Sequence, residues 1–582
     1  MPPNARKPAV RGRRLARAIW RLGRVYWTSA DAKWGLPLLL GSVALELSTV
    51  WTQVLIADAN RRIFDALELK QSDAFFRAVG LFLSIGLVFV LASTYRVFLR
   101  QALEMRWRRS LTSHFIARWI GAQAYLQSKL HVDEIDNPDQ RVAEDVRDFV
   151  ASALGLSLSL LAAVATLVSF GGLLWRLSSD WPVRVAGHEL HIPGLMMWVA
   201  AAYALFSMWV THLVGRRLVP INFSRLRVEA DFRYGLVRFR DNVESVALSH
   251  GEPVERMNAL ARFAHVMRNW FQLIRAQRNL SVLTTGLGYA NDMVPVLAAA
   301  PAYFTHLITL GNIVQIRLAY GHVSGSLIWF VNAYQEIARW RASIERLATF
   351  SEVMDTSERE LAGQAIEIVT GTGDRLLLQN LRLDAPGGRV LVAGATATLD
   401  RGERVVVTGP SGVGKTMLLR TIAGVWPFGA GRIELPRRDR LLFVPERAYL
   451  PLGTLRAAAT FPAEEGSFPD EQIREALRAL GLARFTERLD EVEPWDQRLT
   501  DGERQRLALA RVLLHEPEWV FLDKATSALD EATEARVYEL LAERLPHAAV
   551  VTAAHRPAVA AFHSREWRLL PHGDGPASLE AA

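Results

Sequence analysis

Eight consecutive residues, Gly409, Pro410, Ser411, Gly412, Val413, Gly414, Lys415 and Thr416, follow the pattern G-x-x-x-x-G-K-[ST]. Glycines strip side chains from a loop so that its backbone N–H groups can point inward at phosphate oxygens. Lys415 then neutralises the outer phosphates, and the Thr416 hydroxyl is placed for Mg²⁺. The apolar run Val405-Val406-Val407 before the loop reads as a strand, and residues 417–422 after it as a helix. That helix brings its positive N-terminus to the same point. A glycine-rich turn alone explains neither the lysine nor the strand. Further on, Trp519-Val520-Phe521-Leu522-Asp523 is a buried-strand pattern ending in an acid suited to organising a metal. Asp530 follows seven residues later, and His555 follows the apolar run 549–552. The run Leu499-Thr500-Asp501-Gly502-Glu503-Arg504-Gln505-Arg506 comes before that strand and opens a helix.

The elements that must position these residues divide the chain in two. Its 582 residues are half hydrophobic although 22% are charged, and the mean hydropathy is positive. Such a mixture indicates a membrane portion joined to a soluble one. Apolar segments near residues 35–57, 78–95, 149–175, 191–215, 281–305 and 318–335 are candidate spans, since a helix needs about 20 apolar residues to cross the bilayer core. The fifth and sixth are the more polar and suit helices lining an aqueous path. Basic stretches at 96–147 and 216–278, with the Arg-rich start, belong on the cytoplasmic side. That side also receives the phosphate-binding part. Glu46 and Asp292 fall inside spans one and five. An acid at that depth marks a pathway, a proton site or an interhelical pair.

Residues 1–34 read as a basic amphipathic lead-in on the cytosolic side rather than a cleaved signal. Residues 35–350 form the membrane domain, 351–364 a charged linker, 365–571 an α/β nucleotide-binding domain of alternating short strands and helices, and 572–582 a polar tail. There is no cysteine, which excludes disulfides, thiol catalysis and cysteine metal sites. The net charge of +8 is not a nucleic-acid signal, because the arginines cluster beside apolar runs.

Taken together, residues 365–565 resemble the ATP-binding cassette: phosphate loop, signature-like run, strand acid, D-loop and switch histidine stand in its order. The membrane half is similar to that of the SbmA/BacA-like transporters and, more distantly, the peroxisomal fatty-acyl half-transporters. The matching stretches are 60–67, Asp136-Asn137-Pro138-Asp139-Gln140-Arg141 through Glu144-Asp145, 229–252, 326–341 and 449–455. The resemblance implies a six-span, type IV exporter-like α-helical domain followed by an α/β cassette, working as a dimer in the bacterial inner membrane. A homodimer is the first expectation and a heterodimer the alternative. The cofactors would be ATP and Mg²⁺. By position, Lys415 and Thr416 take phosphate and metal, Asp523 orders the metal, and His555 meets the γ-phosphate. Leu499, Thr500, Asp501 and Gly502 cap the partner's ATP. The segments holding Asp136, Asn137, Pro138, Asp139 and Gln140, and holding Glu229 and Glu244, would pass cassette motion to the membrane. The resemblance implies a peptide or other bulky hydrophilic substrate, with acyl-CoA or lipid as the alternative.

Three positions depart from the family pattern. Lys524 stands where the family places the glutamate that polarises the attacking water. An ammonium has three donors and no acceptor, so it cannot take that proton. Glu446 stands where a glutamine is expected to reach metal and water; its carboxylate can still coordinate Mg²⁺, as a third metal ligand beside Thr416 and Asp523, though it adds charge beside anionic phosphates. Asp501 brings a negative charge to the signature run, a repulsion toward phosphate unless something screens it. No aromatic residue lies between Phe350 and Trp426 to stack on adenine. The expectation is a site that binds nucleotide and hydrolyses it poorly. ATP then acts either as fuel or as a ligand that biases two conformations, with Glu46 and Asp292 as candidates for proton coupling. A membrane-anchored kinase or scaffold with a phosphate loop fits poorly with the signature-like run.

Overall fold

A computed structural model describes residues 12–121, 137–179, 181–185, 188–362, 365–371, 374–554, 556–573 and 575–581. The chain forms two compact units. One comprises Met1–Ala117 and Asn137–Phe350, the other Arg118–Asp136 and Ser351–Ala582.

The first unit is helical. Helices α1 (Gly12–Trp27), α2 (Ala32–Glu68) and α3 (Ser72–Gly121) come first. Next is α4 (Pro138–Ser178), which holds a π-helical turn over Arg141–Asp145. A small antiparallel pair, β1 (Pro182–Val185) and β2 (His188–His191), leads to α5 (Leu195–Gly215), α6 (Leu218–Asp241) and α7 (Val243–Leu248). The unit closes with α8 (Glu252–Phe304), α9 (Leu310–Leu327) and most of α10 (Trp329–Ala362). Among the described residues, α2, α3, α4 and α5 are long and apolar enough to cross a membrane. The fifth and sixth expected spans fall on α8 and on α9 with the start of α10, helices that do not meet that criterion.

Packing explains why α9 is so polar. It contacts α2, α4, α5 and α8, and buries Gln315, Tyr320 and Ser324 on the faces it turns to them. A helix enclosed by other helices need not be apolar all round. Alanines 57, 200, 299, 302 and 319 line this core and let the backbones approach closely. The N-terminus of α9 is capped by α2: the Glu68 and Asp65 carboxylates accept from the backbone N–H of Leu310 (2.9 Å) and Gly311 (3.1 Å). At Gly311 a Cβ would lie 2.3 Å from the Arg61 carbonyl oxygen. These contacts account for much of the 60–67 stretch.

Several helices far exceed the bilayer. At 1.5 Å per residue, the 53 residues of α8 run about 80 Å, against a hydrocarbon core of about 30 Å. Much of the basic stretches 96–147 and 216–278 is thus helix continuing past the spans. The amphipathic α1 buries Leu22 and Tyr26, with the Tyr26 ring stacked on Trp107 of α3, and exposes Arg14, Arg17, Arg21 and Arg24.

The segment expected as a linker is mostly helical, since α10 continues to Ala362. Residues 351–362 contain no glycine or proline. They bury Ser351, Met354 and Ser357, and Arg118 forks onto Asp355 (2.7 Å) and Glu358 (2.9 Å).

The rest of the second unit is α/β. Strands β3 (Ile366–Thr370), β4 (Arg375–Asp384), β5 (Val390–Asp400) and β7 (Gly429–Leu435) make one sheet in the order β3-β7-β4-β5. A six-stranded sheet contains β6 (Arg404–Thr408), β8 (Leu441–Val444), β9 (Trp519–Asp523), β10 (Ala549–Ala553), β11 (Arg565–Leu570) and β12 (Ser578–Ala581). Its order is β12-β11-β6-β10-β9-β8, parallel throughout except for β12. All five residues of β10 are buried, as are the first four of β9, the unbroken apolar pattern of a sheet covered on both faces. Helix α11 (Lys415–Ile422) packs Leu418, Leu419 and Ile422 into that core. Helices α12 (Asp501–His515) and α13 (Glu531–Arg544) contribute to a second core, which holds Trp495.

Candidate functional site

Strand register puts the chemistry on one edge of the sheet. Asp523 at the end of β9 pairs with Ala553 of β10, Ala553 with Val407 of β6, and Leu522 with Val444 of β8. The strands are parallel, so the phosphate loop, the Pro445-Glu446 turn and Lys524 all leave at the same C-terminal edge, where ligands of open α/β sheets bind. His555 and Asp136 lie outside the described residues.

In the phosphate loop Gly409, Gly412 and Gly414 have φ of 139°, 81° and 118°. At Gly409 a Cβ would stand 2.6 Å from the Leu569 carbonyl oxygen. Only glycine fits this backbone. Lys415, 4% exposed, donates from Nζ to the carbonyls of Gly409 (2.6 Å) and Pro410 (3.0 Å). Its ammonium is held below the usual lysine range first by burial and then by the charge of Lys524, with Asp523 opposing. A bound phosphate is the counter-charge this lysine lacks.

The donor set fits Mg²⁺. The Thr416 hydroxyl donates to Asp523 Oδ1 at 2.9 Å. Thr416, Asp523 and Glu446 line one cavity of about 930 Å³, together with Arg420, Tyr449 and Phe461. No cluster of three acids or histidines occurs among the described residues. Mg²⁺ needs none, because it is held by one or two carboxylates plus phosphates. Thr416 and Asp523 would hold the ion, which supplies charge neutralisation to the phosphates.

Lys524 and Glu446 are brought together: Nζ lies 3.7 Å from Glu446 Oε2, with the lysine side chain 26% exposed and the glutamate 53%. Lys524 sits at φ 52°, a left-handed backbone uncommon for a non-glycine residue. Its N–H donates to the Ala553 carbonyl at 3.1 Å.

Gln505 of α12, overlooked in the sequence, clamps this corner. Its amide nitrogen donates to the Glu446 carbonyl (3.2 Å), Ser527 Oγ (3.0 Å) and more weakly the Lys524 carbonyl (3.5 Å). Its amide oxygen accepts from the Ala528 N–H at 2.8 Å. Flanked by Arg504 and Arg506, it carried no signal of its own in the sequence.

The signature-like run opens α12. Leu499 is buried, and Thr500 is the N-cap in a reciprocal box with Glu503. Gly502 packs close to the Ala528 carbonyl, 3.2 Å from where a Cβ would stand. The exposed Asp501 pairs with Arg504 at 2.6 Å, so its charge is screened locally. Asp530 caps α13, accepting from the Thr533 N–H (2.9 Å).

The remaining candidates belong to the helical unit. Asn137 (φ 50°) precedes the Pro138-Asp139-Gln140 turn in a left-handed conformation, and Gln140 donates to Glu144 (2.9 Å). Buried Asp145 receives Arg141 and Arg346, each at 2.9 Å. Glu229 and Glu244 are exposed on α6 and α7. Glu46 is 5% exposed and ion-paired with Arg96 of α3 at 2.7 Å. Asp292 is exposed on α8.

Comparison with known proteins agrees with this geometry. Residues 25–304 match the ABC transporter transmembrane region 2 family, and residues 392–527 match the ABC transporter family. An ABC transporter ATP-binding protein of Synechocystis is 36% identical over 548 residues, covering 91% of this chain and 80% of the relative. The inner membrane ABC transporter ATP-binding protein YddA of Escherichia coli is 29% identical, covering 92% and 94%. The chloroplastic ABC transporter D family member 2 of Arabidopsis thaliana is 30% identical, covering 95% and 85%. With a helical membrane region and an ATP-binding domain fused once each, the chain belongs to the ABC transporter family as a half-transporter.

Proposed function

We propose that the protein works as a dimer in the bacterial inner membrane, with its ATP-binding domain cytosolic, and moves peptides or other bulky hydrophilic solutes. Its nucleotide sites bind ATP and hydrolyse it poorly. The observation that carries this is the Lys524–Glu446 pair. The side chain after Asp523 has no acceptor for a proton, and the nearby Glu446 carboxylate lies 3.7 Å from that ammonium. The six-span topology, the SbmA/BacA-like kinship, the roles of Leu499–Gly502 and His555, and the coupling segments belong to this reading. The D family kinship supports acyl-CoA or another lipid as the alternative substrate.

The test is ATP hydrolysis by the protein in lipid nanodiscs. Native protein is expected to be no faster than Lys415→Ala. Lys524→Glu alone gains little, since it sets two carboxylates within about 4 Å, a repulsion that raises one of them out of its working range. The double variant Glu446→Gln/Lys524→Glu gains about 100-fold or more, the scale of a positioned general base. Native turnover well above Lys415→Ala overturns the reading.

A second reading, ATP as conformational ligand with proton-driven transport, is favoured by the exposed Asp292 on α8. Glu46 is instead engaged in an ion pair with Arg96. Transport that stops with a protonophore yet survives ATP depletion supports it, and a strict ATP requirement counts against it.

A further inference from the structure

We propose that Lys524 is a built-in ligand for the terminal phosphate of a nucleoside triphosphate, so that ATP binds this protein with little dependence on Mg²⁺. The inference rests on the reading of this edge as a nucleotide site and goes beyond it, because it concerns what Lys524 does rather than what it fails to do.

Placement comes first. Lys524 follows Asp523 directly, at the sheet edge from which the phosphate loop also departs. Its backbone is held from both sides. The N–H donates to Ala553 (3.1 Å), and the carbonyl accepts from Ser527 N–H (3.1 Å) and from the Gln505 amide (3.5 Å). The left-handed φ of 52° is thereby fixed, and with it the direction in which the side chain leaves. Its ammonium ends 3.7 Å from Glu446, a residue lining the same cavity as Thr416 and Asp523. Lys415 stands in the phosphate loop beside Thr416, whose hydroxyl donates to Asp523, the residue before Lys524, at 2.9 Å. Two lysines are thus carried by adjoining segments of the edge where the outer phosphates would lie.

Electrostatics gives the consequence. The carboxylate paired with Lys524 is Glu446, and it is a weak anchor. Its side chain is half exposed, and ion pairs of that kind contribute little. A terminal phosphate offers more charge and several acceptor oxygens, so the lysine exchanges one partner for a better one. The neutralisation ordinarily left to Mg²⁺ is then supplied in part by the protein.

The experiment is equilibrium binding of trinitrophenyl-ATP and trinitrophenyl-ADP to the full-length protein in nanodiscs, with Mg²⁺ and in EDTA. Native protein is expected to keep its ATP-analogue affinity within about threefold on chelation, whereas Lys524→Met loses about tenfold or more, the effect of one phosphate–ammonium contact. Lys524→Arg keeps the native behaviour, and Glu446→Gln, which frees the lysine, tightens binding in EDTA. The ADP analogue, lacking the terminal phosphate, is indifferent to Lys524→Met. The proposal is overturned if native protein loses as much as Lys524→Met on chelation, or if ADP and ATP analogues weaken equally. Should Lys524→Met fail to fold, the Lys524→Arg and Glu446→Gln measurements decide it in the same way. All of these are binding equilibria, so their outcome does not depend on whether hydrolysis proves fast or slow.

Discussion

Gln505 joins three loops through one amide, linking the turn at Glu446, the end of β9 at Lys524 and the Ser527-Ala528 corner. Replacing it with leucine removes these hydrogen bonds from a partly buried corner, and each is worth about 0.5–1.5 kcal/mol. Gln505→Leu is therefore expected to lower the unfolding midpoint of the ATP-binding domain, followed by tryptophan fluorescence. It should also weaken nucleotide binding, although the side chain touches no phosphate-loop residue. His563 gives a pH dependence. It lies partly buried between the Val559 carbonyl and the Thr552 hydroxyl, and burial holds it below the ordinary histidine value. As pH falls through about 6.5 the unfolded chain takes up a proton that the folded domain resists. Stability is then full above that pH and lost below it. Melting curves between about pH 7.5 and 5.5 should show the decline, and His563→Gln should flatten its share of it.

At the scale of elements, the contact between α2 and α9 makes the sharpest test. A methyl group at Gly311 would meet the Arg61 carbonyl and the Asp65 carboxylate, and backbone cannot step aside as a side chain can. Gly311→Ala should cost about 1–3 kcal/mol, the usual penalty of overpacking, read as a lower melting temperature in detergent. The Glu46–Arg96 pair links α2 to α3. Removing one partner strands the other, so Arg96→Ala should reduce the folded yield more than the paired change Glu46→Leu/Arg96→Met. The same elements show what the sequence could and could not reveal. The phosphate loop was legible because its glycines, lysine and threonine each meet a local backbone demand. Spans one to four were legible because they are apolar over bilayer length. Helix α9 was blurred because other helices enclose it, so its polar residues can be buried among them. The helical run 351–362 was read as linker because its charge hid a buried stripe of Ser351, Met354 and Ser357. Gln505 escaped notice because a lone glutamine carries no signal until the loops it joins are in place.

For the whole molecule, each chain brings one membrane region and one ATP-binding domain, and a family transporter needs two of each. Particles in nanodiscs should have twice the mass of the chain, and Lys415→Ala should suppress nucleotide binding at both sites of a homodimer. A stoichiometry of one site per dimer would instead point to an unlike partner. The pairing of Asp501 with Arg504 and the capping box of Thr500 with Glu503 hold the start of α12 in a regular helical turn.

Lys524 and Glu446 form a single unit for any redesign of the sheet edge they share. Glutamate at 524 would set a second carboxylate beside Glu446, where the native lysine stands 3.7 Å away, and the two would repel. A carboxylate placed at 524 therefore reports on its own side chain only when 446 is changed with it.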